Sequence, residues 1–273
     1  MALTLLSDPF YSNTHNNHGS MGVINIPSAN FYNSPAAAIS FYRGLPDRKA
    51  TLTVYPYDWL EASIFYSSIK GKVYPGYAQD YKDKGFNLKF RLKEQGSFPA
   101  LALGLNDIGG TGYYGREYLV SSYALNDLDI HFGVSWGTMN HHNHFKNPAR
   151  YVSNKFNERD SSVQEGGKLN LGNFFSGESV SLFGGVNYSI NKNIIFKLEY
   201  DPIKTPGNIE YDDRNSDLSF GFNFLNEKYV AGIFFERGSA LTLNFTLRDN
   251  LFIPEHSYIQ TKSVIIIRRQ GTA

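Results

Sequence analysis

The stretch LDIHFGVSWG, residues Leu128–Gly137, alternates large apolar side chains with polar or small ones at every position. One face carries Leu128, Ile130, Phe132, Val134 and Trp136, and the other carries Asp129, His131, Gly133, Ser135 and Gly137. A period of two residues predicts a β-strand with one apolar face and one polar face. The same alternation is clear at 86–93, 194–201, 218–224 and 241–248.

About twelve segments of the chain carry this pattern, which predicts an all-β protein. They lie near 37–44, 50–57, 58–67, 84–94, 99–107, 117–125, 128–138, 179–190, 193–202, 217–225, 228–236 and 240–248. Many of them approach the roughly 9–11 residues that a tilted strand needs to cross a bilayer. Strands of soluble sheets are shorter, at about 5–6 residues.

The connections between these segments alternate in length. Short connections lie near 57–58, 95–97, 126–127, 191–192 and 226–227, and long ones near 68–83, 108–116, 139–178 and 203–216. The first and last hairpins, near 44–49 and 237–239, are short and break the alternation. Outer-membrane barrels have this layout, with short periplasmic turns and long extracellular loops. We therefore predict an antiparallel transmembrane β-barrel of about twelve strands, with a soluble β-sandwich as the alternative.

Composition excludes several classes of protein. The chain has 26 Lys and Arg against 25 Asp and Glu, which argues against a protein that binds nucleic acid by neutralising phosphates. It has no cysteine, so disulfides, thiolate metal sites and cysteine nucleophiles are absent from this sequence. The mean hydropathy is −0.35 and no apolar run is long enough for a transmembrane helix.

Three regions follow from the strand pattern. We expect residues 1–36 to form an N-terminal periplasmic or plug segment, 37–250 the barrel, and 251–273 a C-terminal strand or tail. The N-terminus has no clear secretory signal, and we expect that such a signal was removed before this numbering begins.

Charged side chains on the polar strand faces are the candidates for contact with whatever occupies the lumen. The lumen-facing candidates are Lys89, Arg91, Lys93, Asp129, His131, Lys197, Glu199, Glu236 and Arg248. Such residues can line a polar path or pair across a plugged lumen. The alternative for each is pairing with a neighbouring strand.

A glycine-rich stretch, DIGGTG at 107–112, follows one predicted strand and leads into another. It lacks the Gly-Lys-Ser/Thr of a phosphate-binding loop, and no helix pattern follows it. We interpret it as a tight glycine turn at the barrel rim. Aromatic residues near this rim could stack on sugar rings, and the candidates are Tyr113, Tyr114, Tyr118 and Trp136.

The sequence predicts no catalytic or metal site. His141, His142 and His144 are close enough in sequence to suggest a metal, but their polar stretch, like that around His15 and His18, is interpreted as a solvated loop. An acidic group (Glu210, Asp212, Asp213 and Asp217) leaves calcium open as an alternative, without the spacing of an EF-hand. No nucleophile elbow is present and no carboxylate pair stands out. We predict a protein that is not an enzyme and has no cofactor.

Several short motifs occur in a characteristic order in the first half of the chain. They are GVINIPSA at 22–29, DWLEAS at 58–63, YKDKGFNLK at 81–89, PALALG at 99–104, NDIGGTG at 106–112, EYLV at 117–120 and GVSWG at 133–137. In this order and spacing they resemble the YjbH-like (WbfB-like) family of outer-membrane proteins. The resemblance is dense from about 22 to 137, and beyond that only the strand pattern continues.

The resemblance implies a role in exopolysaccharide or group 4 capsule export in the bacterial outer membrane, without covalent chemistry. The implied partners are the lipid bilayer, the polysaccharide and other export proteins. A general small-solute porin, a structural barrel and a soluble carbohydrate-binding β-protein are the alternatives. Family members are typically lipoproteins and longer, whereas this sequence has no cysteine to acylate. A short family member, a closed barrel of its own, and two copies that form one larger barrel as a homo-oligomer all stay open.

Overall fold

A computed structural model describes residues 13–44, 47–73, 76–137, 145–160, 167, 171–202 and 215–250. It contains thirteen strands. They are β1 Ala36–Arg43, β2 Asp47–Tyr57, β3 Leu60–Val73, β4 Asp80–Lys93, β5 Ala100–Ile108, β6 Arg116–Leu125, β7 Leu128–Gly137, β8 Phe145–Lys146, β9 Ser179–Asn191, β10 Ile194–Tyr200, β11 Leu218–Leu225, β12 Tyr229–Glu236 and β13 Ala240–Asp249. Three short 3-10 helices lie between β8 and β9, at Pro148–Tyr151, Asn154–Phe156 and Leu171–Asn173.

Twelve of the strands close into an antiparallel barrel, which confirms the predicted fold class. Each strand pairs with the next in sequence, except that β7 pairs with β9, and β1 pairs with β13 to close the ring. The two-residue β8 pairs only with the start of β9 and stands outside the barrel wall. Closure gives every wall strand two neighbours and leaves no edge in the ring.

The two faces of the wall are inverted relative to those of a soluble protein. On β13 the outward Leu243 and Phe245 are 51% and 41% exposed, whereas the inward Asn244 is 3% exposed. The same division holds on β11, where Phe222 points outward and Asn223 points inward. The period-two pattern therefore places bulky apolar side chains outside the barrel and Ser, Thr, Asn and charged side chains inside it.

The two ends of the barrel differ in their connections. The short-turn end has the connections at 58–59, 94–99, 126–127, 192–193 and 226–228. The long-loop end has those at 44–46, 74–79, 109–115, 138–178, 201–217 and 237–239. The first barrel strand, β1, begins at the short-turn end, and the last, β13, ends there, because the barrel has an even number of strands. The short first and last hairpins belong to the long-loop end.

The barrel interior is occupied by residues 13–32, called here the lumen segment. Its side chains or main chain hydrogen-bond to eight different barrel strands around the ring, which is possible only from within. Room for it comes partly from β5, where the inward positions are Ala100, Ala102 and Gly104. A Cβ on Gly104 would lie 1.9 Å from Cζ of Tyr118, so only glycine fits under that ring.

Some expectations lie outside the described residues. These are the His141, His142 and His144 cluster, the acidic residues Glu210, Asp212 and Asp213, and the tail at 251–273. The division at 36/37 and 250/251 stays a prediction. Within the described ranges, no helix is long and apolar enough to cross a membrane.

Candidate functional site

The lumen segment folds on itself before it meets the wall. The Asn16 side chain donates to the carbonyl oxygens of Asn25 and Ile26, both at 3.2 Å, and accepts from the amides of His18 and Ser20. A tight turn follows, in which the Val23 amide donates to the Ile26 carbonyl at 3.0 Å. Asparagine suits this role because its side-chain amide can replace main-chain partners in a turn.

Two charged residues of β10 hold the tip of this turn. One carboxylate, Glu199, accepts from the main-chain amides of Ile24, Asn25 and Ile26 at 2.8–3.2 Å. Two residues earlier on the same face, Lys197 donates to the carbonyl oxygens of Gly22 and Val23. Both side chains are 1% exposed or less. Buried charges with such hydrogen bonds are compensated, and the bonds themselves are stronger than those between neutral groups.

A buried ion pair holds the opposite side of the segment. Nζ of Lys89 on β4 lies 2.8 Å from Oε2 of Glu61 on β3. The glutamate also accepts from the Ser20 hydroxyl and the Met21 amide, at 2.5 and 3.2 Å. The lysine donates to the Asn30 carbonyl at 3.0 Å. The pair therefore bridges two strands and two parts of the lumen segment.

A third carboxylate, Glu236 on β12, receives asparagine side chains of the lumen segment. Nδ2 of Asn17 and Nδ2 of Asn25 each lie 2.8 Å from its oxygens. The wall hydroxyls of Tyr42 and Thr242 also donate to it. Glu236 is 2% exposed, so all of these donors replace water around a buried charge.

At the short-turn end the contacts involve a histidine and an arginine of the wall. Asn30 of the lumen segment donates to Asp129 at 2.6 Å, and the Ala29 amide donates to Ser122. The Ser122 hydroxyl lies 2.8 Å from Nδ1 of His131. Arg248 donates to the Asn13 carbonyl at 2.6 Å. These contacts hold both ends of the lumen segment at one mouth of the barrel.

The chain leaves the lumen beside the β2–β3 turn. The Ser34 hydroxyl and main-chain amide both donate to Oδ1 of Asp58, at 2.5 and 3.3 Å. These hydrogen bonds favour the ionised carboxylate and lower the pKa of Asp58. The lumen segment is thus tied to the short-turn end where β1 begins.

His15 and His18 are not in a solvated loop, and that interpretation was wrong. His15 is 1% exposed, with Nε2 2.8 Å from the Tyr55 hydroxyl. Nδ1 of His18 lies 2.9 Å from Nζ of Lys49. Both histidines belong to the lumen segment, where the wall takes the place of water. Their polar neighbours in sequence gave no sign of this, because the partners are wall residues of β2.

The structure places seven of the nine lumen-facing candidates in the buried interior. These are Lys89, Asp129, His131, Lys197, Glu199, Glu236 and Arg248. Arg91 lies at the mouth with its guanidinium 4.7 Å from the Phe31 ring centroid. Lys93 is exposed, because the β4–β5 register shifts between Arg91 and Lys93 and the alternation ends there. What any of them does for function stays a prediction.

The four aromatic rim candidates lie in different places. Tyr114 and Tyr118 are 2% and 1% exposed and point into the barrel rather than to an exposed rim. Tyr114 donates to Asp47 at 2.7 Å, and Tyr118 lies on the inward-facing set of β6. Tyr113 packs edge-on against Tyr81. Trp136 donates to Asn147 at 2.9 Å, so the long connection after β7 packs on it.

Several interior charges were not among the sequence candidates. Glu61, Arg116, Asp201 and Arg237 are buried, and Arg237 pairs with Asp201 at 3.0 Å. Glu61 could have been found, since it alternates with Leu60 and Ala62 on a predicted strand. Asp201 and Arg237 lie just past the ends of β10 and β12, where the alternation no longer indicates which face of the wall a side chain occupies. In the described part of the chain, no group of His, Asp and Glu is arranged to hold a metal ion.

Comparison with protein families and curated proteins gives two findings. A family model described as "Exopolysaccharide biosynthesis protein YbjH" matches residues 14–269. The uncharacterized lipoprotein YjbH of Escherichia coli (strain K12) is 30% identical over 245 residues, which is 85% of this chain and 34% of that protein. The chain therefore spans about a third of the length of this curated relative.

Solved structures that match this chain include a porin and an outer membrane protein. KdgM porin has a TM-score of 0.42 and 10% identity, covering 78% of this chain and 97% of that chain. The outer membrane protein Omp33 of Acinetobacter baumannii has a TM-score of 0.37 and 9% identity, covering 78% and 95%. These TM-scores are too low to establish the fold, which is established instead by the strand pairing within this chain.

Proposed function

We propose, since this chain belongs to the family of the exopolysaccharide biosynthesis protein YbjH, that it is a non-catalytic β-barrel of the bacterial outer membrane that serves exopolysaccharide export or assembly. The family match over residues 14–269 carries the proposal, and it confirms the resemblance that the motifs between 22 and 137 indicate. A role in capsule export and the partner proteins remain part of the proposal, because the chain spans about a third of its curated relative.

Placement in the membrane is supported by the inverted faces of the wall. Large apolar side chains are exposed on the outside of strand after strand, as on β1 (Ile39, Phe41), β11 (Phe220, Phe222) and β13 (Leu243). A monomeric soluble protein rarely exposes so continuous an apolar surface. In a transmembrane barrel the same surface faces lipid and the polar inner face is normal. By loop length, the short-turn end would be periplasmic and the long-loop end extracellular.

Because the lumen is occupied, it supports a role in which polymer docks on the barrel and does not pass through it. Met21, Ile24 and Ile26 of the lumen segment are completely buried within the barrel. A hydrated polymer would have to displace the segment in order to pass. The polar and aromatic groups at the long-loop end, including Tyr113, are where polymer would dock with the segment in place.

Deletion of the gene in its own host, followed by complementation with the same gene, tests this function. We expect exported polymer to fall several-fold while polymer synthesis continues, so that polymer accumulates inside the cell, and we expect complementation to restore export. Unchanged polymer export together with reduced uptake of small solutes would contradict the proposal and favour a general porin.

A further inference from the structure

The barrel wall and the lumen segment share no β-strand pairing, although side chains of the wall hydrogen-bond to the segment. Every pairing that closes the ring joins one barrel strand to another, and none includes residues 13–32. The segment's own two bridges, His15 with Met21 and Gly22 with Pro27, join it only to itself. The ring of strands therefore does not depend on the segment for closure, in contrast to a core element that completes a sheet.

The wall recognises mainly the main chain of the segment. Glu199 accepts three consecutive amides, Lys197 donates to two consecutive carbonyls, and Lys89 donates to another. Thr53 and Arg248 donate to the carbonyl oxygens of Gly19 and Asn13. As in a peptide-binding protein, main-chain hydrogen bonds can supply affinity here while pockets receive side chains, although this segment is folded into turns and adds no strand to the sheet.

Apolar side chains of the lumen segment pack against apolar side chains of the barrel wall. Met21, Val23, Ile24, Ile26 and Phe31 cluster with wall residues. Their wall partners include Tyr55, Ala100, Ala102, Tyr118, Val120, Phe183 and Phe234. Burial of these side chains favours the docked state, since it removes apolar surface from water.

Buried polar groups inside the barrel that lack a hydrogen-bond partner in the described part of the chain act in the opposite direction. Asn223 is completely buried, and neither its Oδ1 nor its Nδ2 has a hydrogen-bond partner among the described residues. Nε and Nη2 of Arg116, Nε2 of His18 and Oγ1 of Thr14 are buried in the same condition. Each such group carries a desolvation penalty that a water-filled lumen would remove. Charged wall groups such as Glu199 would likewise be hydrated if the segment left, so they would not remain as buried charges without partners.

We propose that the lumen is a binding site for a polypeptide segment folded into turns, and that residues 13–32 are its bound but displaceable ligand. The lumen segment then binds to and leaves the folded barrel in an equilibrium. The bound segment closes the lumen, and its departure exposes a polar, water-filled interior. This inference goes beyond the proposed function and does not depend on which polymer the protein serves.

Cysteine accessibility in the full chain tests the proposal, because this 273-residue sequence contains no cysteine. Ser28 of the segment is 1% exposed, so Ser28→Cys can react with a large water-soluble maleimide only when the segment leaves. We expect slow modification of protein that keeps its folded mobility on unboiled gels. Adding Glu199→Gln should speed the reaction about tenfold or more, since it weakens several charge-assisted hydrogen bonds.

Matched variants keep the test decisive. Asn25→Ala removes the two hydrogen bonds that this side chain donates to the wall and changes no wall residue, so it should also speed modification even if Glu199→Gln folds poorly. Glu227→Gln, at an exposed residue of the β11–β12 turn, should change nothing, and Ser97→Cys should react at once in every background. Modification of the Ser28→Cys thiol only in protein that has lost its folded mobility, or at a rate that neither variant changes, would overturn the proposal.

Discussion

Replacing Lys89 with methionine is expected to lower the free energy of unfolding by about 3–5 kcal/mol, because it leaves a buried carboxylate without its cation. The Lys89 and Glu61 side chains are 1% and 4% exposed, so water does not screen the pair. After the substitution the hydrogen bonds that Glu61 accepts from the Ser20 hydroxyl and the Met21 amide come from neutral donors, which do not replace the cation. Urea unfolding in lipid vesicles, followed by tryptophan fluorescence, measures the loss.

Two further variants identify the cause of that loss. Lys93→Met changes an exposed lysine of the same strand and should cost less than about 0.5 kcal/mol. Lys89→Met combined with Glu61→Gln removes both charges and should recover part of the stability, as expected when the penalty comes from an unpaired charge. A Lys89→Met protein as stable as Lys93→Met would show that the pair does not hold the interior together.

Replacing Leu243 with arginine on the outer face is expected to cost about 2–4 kcal/mol in a bilayer. Leu243 lies near the middle of β13 and is 51% exposed, so its side chain would face lipid in a membrane barrel. An arginine there must carry its charge into hydrocarbon, whereas the same change on a water-facing surface is nearly neutral. The measurement is the same unfolding titration in vesicles.

Leu241 provides the matched control on the same strand and face. It lies one residue from the long-loop end of β13 and is 69% exposed, so arginine there can reach the headgroup region. Leu241→Arg should cost only about 0–1 kcal/mol. Equal and small costs at both positions would mean that the outer face does not meet lipid.

The strands could be predicted from the sequence because alternation depends only on neighbouring residues. LSFGFNFL predicts a strand near 217–225, and the structure has Leu218–Leu225. The connection lengths likewise indicated the two ends of the barrel. Predicted alternation failed at Lys93, where a register shift between β4 and β5 changes the facing of the last residues. Such shifts depend on the partner strand and leave no mark in the strand's own sequence.

The contacts of the lumen segment could not be predicted in the same way. Asn17 bonds to Glu236 and Asn25 to Glu199, at separations of 219 and 174 residues. GVINIPSA at 22–29 has neither a strand nor a helix period, so local patterns say nothing about its partners. Its wall contacts also go largely to main-chain atoms, which every sequence possesses. Only the closed ring brings these groups together.

Extraction combined with heat-modifiable gel mobility tests most directly the claim that this chain is a lipid-facing closed barrel. The chain is expressed with a secretion signal, membranes are fractionated, and boiled and unboiled samples are compared. We expect recovery only in detergent, with unboiled protein migrating faster than boiled protein because the closed ring resists the detergent. A monodisperse protein that stays in solution without detergent would contradict a lipid-facing barrel, since the exposed Phe and Leu side chains of β11 and β13 would then have to face water.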